Sequence, residues 1–290
     1  MDGITKPKIF TISPSQSFVD VLASGIVKRV GSDPCALTSV QVLLPTRHAC
    51  RSLREAFLRL SGGDPVLLPL MGSLGDIDED EFNSNSSSLL PFEREFSSDF
   101  ALDVAPAISP VRRQLLLGRL IMARGNIEVD QAIQLARELA RLIDQMHTER
   151  CSLDNLLELV PSEYATYWQT VLDFLKIITV QWPRVLKEEG VLDPTDRRNR
   201  LLDALASRWK MKPPRTPIYA AGSTGSIPAT ADLLAVIAKL PKGAVILPGV
   251  DCCLSESSWK KLEPYHPQYG LAYLLQYLGA CPSTHLTQTA

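Results

Sequence analysis

The sequence predicts an α/β protein whose parallel sheet is interrupted by an all-helical insertion. Short apolar segments alternate with amphipathic helical segments at both ends of the chain, whereas the middle shows helical periodicity alone. The chain has 290 residues, of which 45% are hydrophobic and 21% charged. Such a composition excludes a wholly disordered protein, and the length corresponds to about two domains.

The first part of the chain alternates strands and helices. Residues 8–12 and 40–44 are short and apolar, and each is followed by a turn that contains proline, which is typical of a buried strand. Residues 66–69 are a third strand candidate, in which Pro69 favours a strand end or an edge. The first helix is predicted to bury Phe18, Leu22, Ile26 and Val30. The second is predicted to bury Cys50, Leu53, Phe57 and Leu60.

The middle of the chain is helical, and sheet-like sequence then returns. Apolar positions recur at helical spacing through residues 111–123, 132–146, 164–186 and 198–209. Pro183 is expected to kink or end its helix. Residues 217–222 and 243–248 are predicted strands, joined by a helix with Pro228 in its first turn. A last helix is predicted near residues 268–278.

These segments predict five regions along the chain. Residues 76–103 hold nine acidic residues and one arginine, which is typical of a solvated, mobile insertion. The predicted regions are 1–75 as the first part of the α/β domain, 76–108 as the acidic insertion, 109–212 as the helical insertion domain, 213–280 as the second part of the α/β domain, and 281–290 as a disordered tail.

Composition and motif spacing narrow the function classes. The net charge of −2 gives no bulk support for a nucleic-acid partner, so any basic surface has to be a local patch. No apolar run is long enough to span a bilayer and no signal peptide is evident, so we expect a cytoplasmic protein without a membrane partner. The cysteines form no CxxC pair and the histidines are not at zinc-ligand spacing, so we expect neither a metal nor another cofactor.

The segment 222–226 is the first candidate binding site. It lies between a predicted strand and a predicted helix, where phosphate-binding loops lie. Its candidate contacts are Gly222, Ser223 and Thr224. The chain contains no GK[ST], so the loop is not a Walker A motif and lacks a lysine for nucleotide phosphates. Two interpretations stay open, a tight turn that requires small residues and a contact with a phosphate of nucleic acid.

The second candidate site follows the predicted strand 40–44. Thr46 follows this strand after Pro45, and Arg47 and Arg51 lie one turn apart on one face of the next helix. In an open α/β sheet the carboxyl ends of the strands face the ligand crevice. A hydroxyl and arginines at this place suit a phosphodiester backbone. The alternative is a solvated basic face without a ligand.

Six blocks of sequence, in this order, carry a more specific signal. They are residues 42–47 with 49–57 and 72–79, then 110–117, 190–202, 220–230, 245–251 and 266–268. Together they resemble the N-terminal region of the B subunit of the AddAB helicase–nucleases. The resemblance spans about residues 8–280 of this chain.

This resemblance implies a subunit of a DNA double-strand-break repair complex that acts in recombination. Its partners would be a single strand or duplex end of DNA and an AddA-type helicase–nuclease subunit, which carries the ATPase. It also implies a superfamily 1 helicase-like domain, in which residues 44–47 and 222–227 take the places of helicase motifs. Residues 13–17 stand where a Walker A loop would be and do not match one, so we expect no ATP hydrolysis. Localisation would be cytoplasmic and nucleoid-associated.

The family continues to a RecB-like nuclease domain, which this chain does not reach. We therefore expect a fragment or truncated product without nuclease activity, and no catalytic residue is assigned. One alternative is an active P-loop ATPase or helicase, against which the missing GK[ST] argues. The other is an α/β enzyme that binds a phosphorylated small molecule at the 222–226 loop.

Overall fold

The computed structural model describes residues 6–31, 34–74, 104–125, 127–151, 174–280 and 286–288. The chain divides into two compact units. The first comprises Met1–Ser98 and Leu202–Ala290, and the second comprises Asp99–Leu201. Both boundaries lie about ten residues before those predicted for the helical insertion. At the second boundary the reason is that the latter part of one long helix, Pro194–Met211, belongs to the first unit. No described helix has the length and apolar character needed to cross a bilayer.

The first unit is built on a parallel sheet, which confirms the predicted α/β class. Its six described strands are β1 (Ile9–Ile12), β2 (Gln41–Leu44), β3 (Leu70–Ser73), β4 (Ile218–Ala221), β5 (Gly243–Pro248) and β6 (Leu286–Gln288). Their order across the sheet is β3-β2-β4-β5-β1-β6, and every pairing is parallel. The strands β2 and β4 are therefore neighbours, although the whole second unit lies between them in the sequence.

Helices cover both faces of this sheet. α1 (Phe18–Val30) and α2 (Arg47–Leu60) pack together on one face, in a core cluster that includes Val42, Tyr219 and Ile246. α7 (Pro228–Lys239) packs on β4 and β5, whose intervening side chains point to the opposite face. α8 (Glu256–Trp259) and α9 (Tyr269–Tyr277) follow β5. Two-sided cover explains why residues of β2 and β4 are buried without alternation.

Three sequence predictions for this unit need correction. The strand predicted at 66–69 lies at Leu70–Ser73 instead, because prolines 65 and 69 have no N–H for a ladder, and β3 begins directly after them at the edge of the sheet. Part of the predicted disordered tail, 281–290, forms the edge strand β6 beside β1. Leu60, predicted to be buried by α2, is 49% exposed because it lies in the last turn, beyond the core.

The second unit is a helical block with its own core. Its described helices are α3 (Pro110–Met122), α4 (Val129–Glu149), α5 (Trp182–Glu189) and the first part of α6 (Pro194–Met211). The core contains Leu117, Leu139, Ile143 and Trp182. The part of the predicted helix 164–186 that precedes Phe174 lies outside the described residues.

Pro183 does not end its helix in the way the sequence suggested. A π-helical turn, Ile177–Gln181, leads directly into α5, and Pro183 lies in the first turn of that helix. Proline is tolerated in a first turn because the N–H groups there have no partner within their own helix. The wider π turn changes the hydrogen-bond register and so lets the backbone remain helical through this point.

A buried polar network joins three helices of the second unit. The Arg113 guanidinium of α3 donates to both carboxylate oxygens of Asp144 on α4, at 2.9 and 3.0 Å. Its Nε lies 2.8 Å from Oδ1 of Asp193, which directly precedes α6 and is 1% exposed. The indole Nε1 of Trp182 donates to the other oxygen of Asp193 at 2.7 Å. The buried Asp193 carboxylate thus contacts both a cation and an indole donor.

His147 completes this network at the end of α4. Its Nε2 lies 3.6 Å from Oδ2 of Asp193, and its backbone carbonyl accepts a hydrogen bond from the Asn199 side chain at 2.7 Å. The interaction with Asp193 raises the pKa of His147, and this effect outweighs the opposing effect of burial. The folded state therefore favours the protonated imidazole more than the unfolded chain does.

Substitution Asp193→Ala should destabilise the second unit by about 2–5 kcal/mol, since it leaves the Arg113 Nε and the buried Trp182 indole N–H without their acceptor, while Asp144 still pairs with the guanidinium. The matched control is Glu138→Ala, which removes a carboxylate from an exposed ion pair with Arg141 and should cost less than about 1 kcal/mol. Denaturant unfolding followed by tryptophan fluorescence measures both. Equal losses in the two variants would contradict the assigned role of Asp193.

The second unit should lose stability as pH rises past the ordinary histidine pKa of 6.5, because a raised folded-state pKa stabilises the fold only while His147 is protonated. The measurement is the free energy of unfolding between about pH 6 and about pH 8. Both His147→Gln and Asp193→Asn should reduce this dependence, since one removes the titrating group and the other the carboxylate that shifts it. An unchanged dependence in both variants would refute the assignment.

Candidate functional site

The carboxyl edge of the sheet gathers four loops of the first unit. Because the described strands are parallel, the segments that follow β1, β2, β4 and β5 leave the sheet at this same edge. These loops comprise residues 13–17, 45–46, 222–227 and 249–255. Of the predicted site residues, Thr46 lies in the second loop, Gly222, Ser223 and Thr224 lie in the third, and Arg47 and Arg51 lie in the helix that follows the second.

The strand order creates a crevice between β2 and β4. The chain leaves β2 through α2 on one face of the sheet and leaves β4 through α7 on the other. Neighbouring strands whose connections diverge in this way mark the place where open α/β sheets bind ligands.

The structure brings the loops after β2 and β4 side by side. Leu43 pairs with Ala220, and Thr46 and Ser223 each follow this pair by three residues. A Cβ atom on Gly222 would lie 3.5 Å from Cδ of Pro45 and 3.4 Å from the ring of Phe18. The first residue of α1 therefore also packs against this junction.

The loop after β4 depends on two glycines. Gly222 and Gly225 have φ values of +79° and +60°, which side chains rarely allow. A Cβ atom on Gly225 would also lie 2.6 Å from the Leu274 side chain of α9. The backbone N–H of Gly225 donates to the hydroxyl of Ser223 at 3.3 Å, while the Thr224 side chain is exposed. The loop is both a tight turn and a surface with three hydroxyl groups, those of Ser223, Thr224 and Ser226.

Thr46 and the arginines that follow it form the start of α2. Thr46 is the N-cap, and its hydroxyl accepts a hydrogen bond from the N–H of Ala49 at 3.1 Å. Arg47 is half-buried and Arg51 is exposed one turn further on, while Cys50 and Leu53 are buried on the opposite side of the helix. Within the described part of the chain, Arg51 forms no ion pair. Its charge is therefore available to an anion.

Two residues that the sequence prediction did not single out fix the neighbouring loops. The Thr11 hydroxyl donates to the Leu247 carbonyl at 3.3 Å and accepts from the N–H of Val250 at 3.1 Å, which ties β1 to the end of β5. The Gln268 side chain donates to the Gly249 carbonyl at 2.9 Å and accepts from the N–H of Asp251 at 3.4 Å. The only advance signal for Gln268 was its place in one of the six sequence blocks.

The loop after β1 is short and held by its own contacts. Hydroxyl oxygens of Ser13 and Ser15 lie 2.9 Å apart, and the N–H of Gln16 donates to the Ser13 carbonyl at 3.1 Å. Pro14 lies against Gly249, on which a Cβ atom would be 3.5 Å away. The segment 13–17 contains no lysine or arginine, so its side chains offer no positive charge to a nucleotide phosphate.

The side chains at this edge include hydrogen-bond donors of two kinds, the guanidinium groups of α2 and the hydroxyl groups of Thr46, Ser223 and Thr224. Guanidinium groups and hydroxyl groups are hydrogen-bond donors that recur in contacts to phosphate oxygens. Among the described residues, no group of three or more His, Cys, Asp and Glu side chains is placed to hold a metal ion. A scan against models of protein families and a search of curated proteins both find no match for this chain.

Substitution Gly225→Ala should destabilise the first unit by about 2–5 kcal/mol, because it adds a collision with Leu274 to the strain of a positive φ. The matched control is Gly279→Ala, where φ is +68° but no atom lies within 4 Å, so strain alone of about 1–2 kcal/mol is expected. Denaturant unfolding measures both losses. If they coincide, α9 does not cover the loop as described.

Proposed function

We propose that this chain is the helicase-like, ATPase-inactive N-terminal portion of a DNA double-strand-break repair helicase–nuclease subunit of the AddB type. Its role would be to hold DNA at the carboxyl edge of the sheet and to dock an AddA-type motor subunit, which supplies ATP hydrolysis. The observation that carries the DNA-binding part is the junction of the loops after β2 and β4, where Thr46 and Ser223 occupy equivalent places. The six sequence blocks support the family assignment.

The phosphodiester backbone is the ligand that fits this junction best. Arg47 and Arg51 supply positive charge on one side of the junction, and Ser223 and Thr224 supply hydroxyl groups on the other. Backbone contacts of this kind position a nucleic acid without reading its sequence. The protein as a whole has a net charge of −2, so binding would depend on this local arrangement and would be sensitive to salt.

An ATPase of its own fits the first unit less well. In a P-loop protein the loop after the first strand holds the phosphates, with a lysine on the β- and γ-phosphates. The corresponding segment here, 13–17, has no basic side chain and is packed at Pro14 against Gly249. We therefore propose that DNA binding is retained and nucleotide hydrolysis belongs to the partner. A protein that binds DNA in this way would be found with the nucleoid in the cytoplasm.

A small phosphorylated ligand is the second candidate, and the loop after β4 is the observation that favours it. Gly222 and Gly225 turn the backbone sharply, Ser223 and Thr224 carry hydroxyls, and Ile227 provides no side-chain cap for the N–H groups of α7. Together with the arginines of α2, these donors span more than one phosphate group, which favours a longer anion over a small ligand. Competition by inorganic phosphate distinguishes the two candidate ligands. Free phosphate should displace a small phosphorylated ligand readily, whereas a DNA backbone that is held at several points should resist displacement.

Substitution Arg51→Ala should reduce the salt dependence of DNA binding by about one unit of slope, since it removes one phosphate contact. Binding of single-stranded DNA and of a tailed duplex to the full chain is measured by fluorescence anisotropy at several salt concentrations. The loss should be similar for all sequences because the contact is to the backbone.

The control for this test is Arg59→Ala. Arg59 lies in the last turn of the same helix and pairs with Asp20, so its removal changes the net charge equally at the other end of α2. The slope should then remain that of the unchanged protein. Equal slopes for Arg51→Ala and the unchanged protein would show that the start of α2 is only a solvated basic face.

A further inference from the structure

Six exposed cationic side chains gather near the opposite, amino edge of the sheet. They are Lys8, Lys210, Lys212, Arg215, Lys239 and Lys242, and together they are called the amino-edge surface here. All belong to the first unit. The sequence analysis did not group them, because they come from three separate parts of the chain.

The fold explains how these residues meet. Lys8 directly precedes β1 and Lys242 directly precedes β5, and these two strands are neighbours. The Lys8 backbone N–H donates to the Ala238 carbonyl of α7 at 2.7 Å, and its ammonium donates to the Pro241 carbonyl. Lys239 ends α7 and Lys210 lies in the last turn of α6, where helices return to the amino edge.

A cavity of about 510 Å³ opens on this surface. Lys210 and Lys239 line it together with Trp209, Asp232 and Tyr277. Trp209 is 1% exposed, and its buried indole N–H has no hydrogen-bond partner in the described part of the chain. The cavity is therefore lined by cationic and aromatic side chains together.

The six cations of this surface outnumber the one carboxylate that lines its cavity. Within the described residues, none of the six side chains forms an ion pair. One carboxylate, Asp232, lines the cavity beside Lys210 and Lys239 and offsets part of their charge, which leaves the six cations of the surface in excess. In a chain with a net charge of −2, this concentration of cations is complementary to a polyanion.

An aromatic ring beside the cations narrows the class of polyanion. Tyr277 ends α9 at the rim of the cavity and is 50% exposed. A positive surface with an accessible aromatic ring is the arrangement that binds single-stranded nucleic acid, where the ring stacks on an unpaired base. Duplex DNA hides its base faces, and an acidic peptide does not require the ring.

We propose that the amino-edge surface is a second binding site for single-stranded nucleic acid, distinct from the junction at the carboxyl edge. Its cations contact the phosphodiester backbone, and Tyr277, at the rim of the cavity, stacks on a base. The site lies at the other ends of the strands from Thr46 and Ser223, so it does not depend on the function proposed above.

The test compares two double variants of the full chain in the binding of a single-stranded oligothymidylate. Lys210→Ala with Lys239→Ala removes two charges from the cavity, and it should reduce the slope of log affinity against log salt by about 1.4. The matched control, Lys260→Ala with Lys261→Ala, removes the same charge from exposed lysines outside the surface and should leave the slope unchanged. Lys210→Arg with Lys239→Arg should restore the binding of the unchanged protein.

Substitutions of Tyr277 distinguish the contribution of the aromatic ring to binding from the contribution of the lysines. Tyr277→Ala should weaken oligothymidylate binding by about 5- to 150-fold, whereas Tyr277→Phe, which keeps the ring, should stay within about twofold. The proposal is overturned if the control double variant loses as much slope as the cavity variant. It is also overturned if Tyr277→Ala binds normally while polyglutamate competes fully, since the surface would then serve an acidic protein. Arg51→Ala should leave these Tyr277 effects unchanged, so the two proposed sites fail independently.

Discussion

The parallel pairing of β2 with β4 is the constraint on which the candidate site depends. These strands are far apart in the sequence, and the second unit lies between them. Their pairing sets Thr46 beside Ser223 and places Gly222 against Pro45. Without it, the start of α2 and the loop after β4 would be unrelated surface features. The insertion of a self-contained helical unit is compatible with this pairing because that unit has its own core and its own buried network.

Much of the fold could be predicted because its signals are local. The strand at Gly243–Pro248 has the predicted bounds, and α9 differs from the prediction by one residue at each end. The strand β3 was misplaced because its sequence contains a glycine and follows Pro69, so apolar residues before the proline gave the stronger signal. The edge strand β6 was missed because three residues carry no periodicity. Strand order is a tertiary property, and no local pattern contains it.

The site was predictable in part, and for physical reasons. Thr46 and Ser223 stand out because a hydroxyl directly after a strand in an α/β sheet is positioned at the carboxyl edge. Asp193 does not stand out in the sequence, because an aspartate before a proline is typical of a helix cap. Its burial beside Arg113 is determined by the packing of helices, which no local pattern contains. The amino-edge surface was also invisible in the sequence, since its cations approach each other only when β1 and β5 are neighbours.

Hydrogen–deuterium exchange of the full chain, with and without single-stranded DNA, tests the central claim most directly because it reports every loop at once. DNA held at the carboxyl edge should slow amide exchange in residues 45–51 and 222–227 together, since these segments form one junction. Residues 208–215 and 239–242 report the amino-edge surface separately in the same experiment. Protection of the amino-edge segments alone, with unchanged exchange at residues 45–51 and 222–227, would contradict the claim that the junction of β2 and β4 holds DNA.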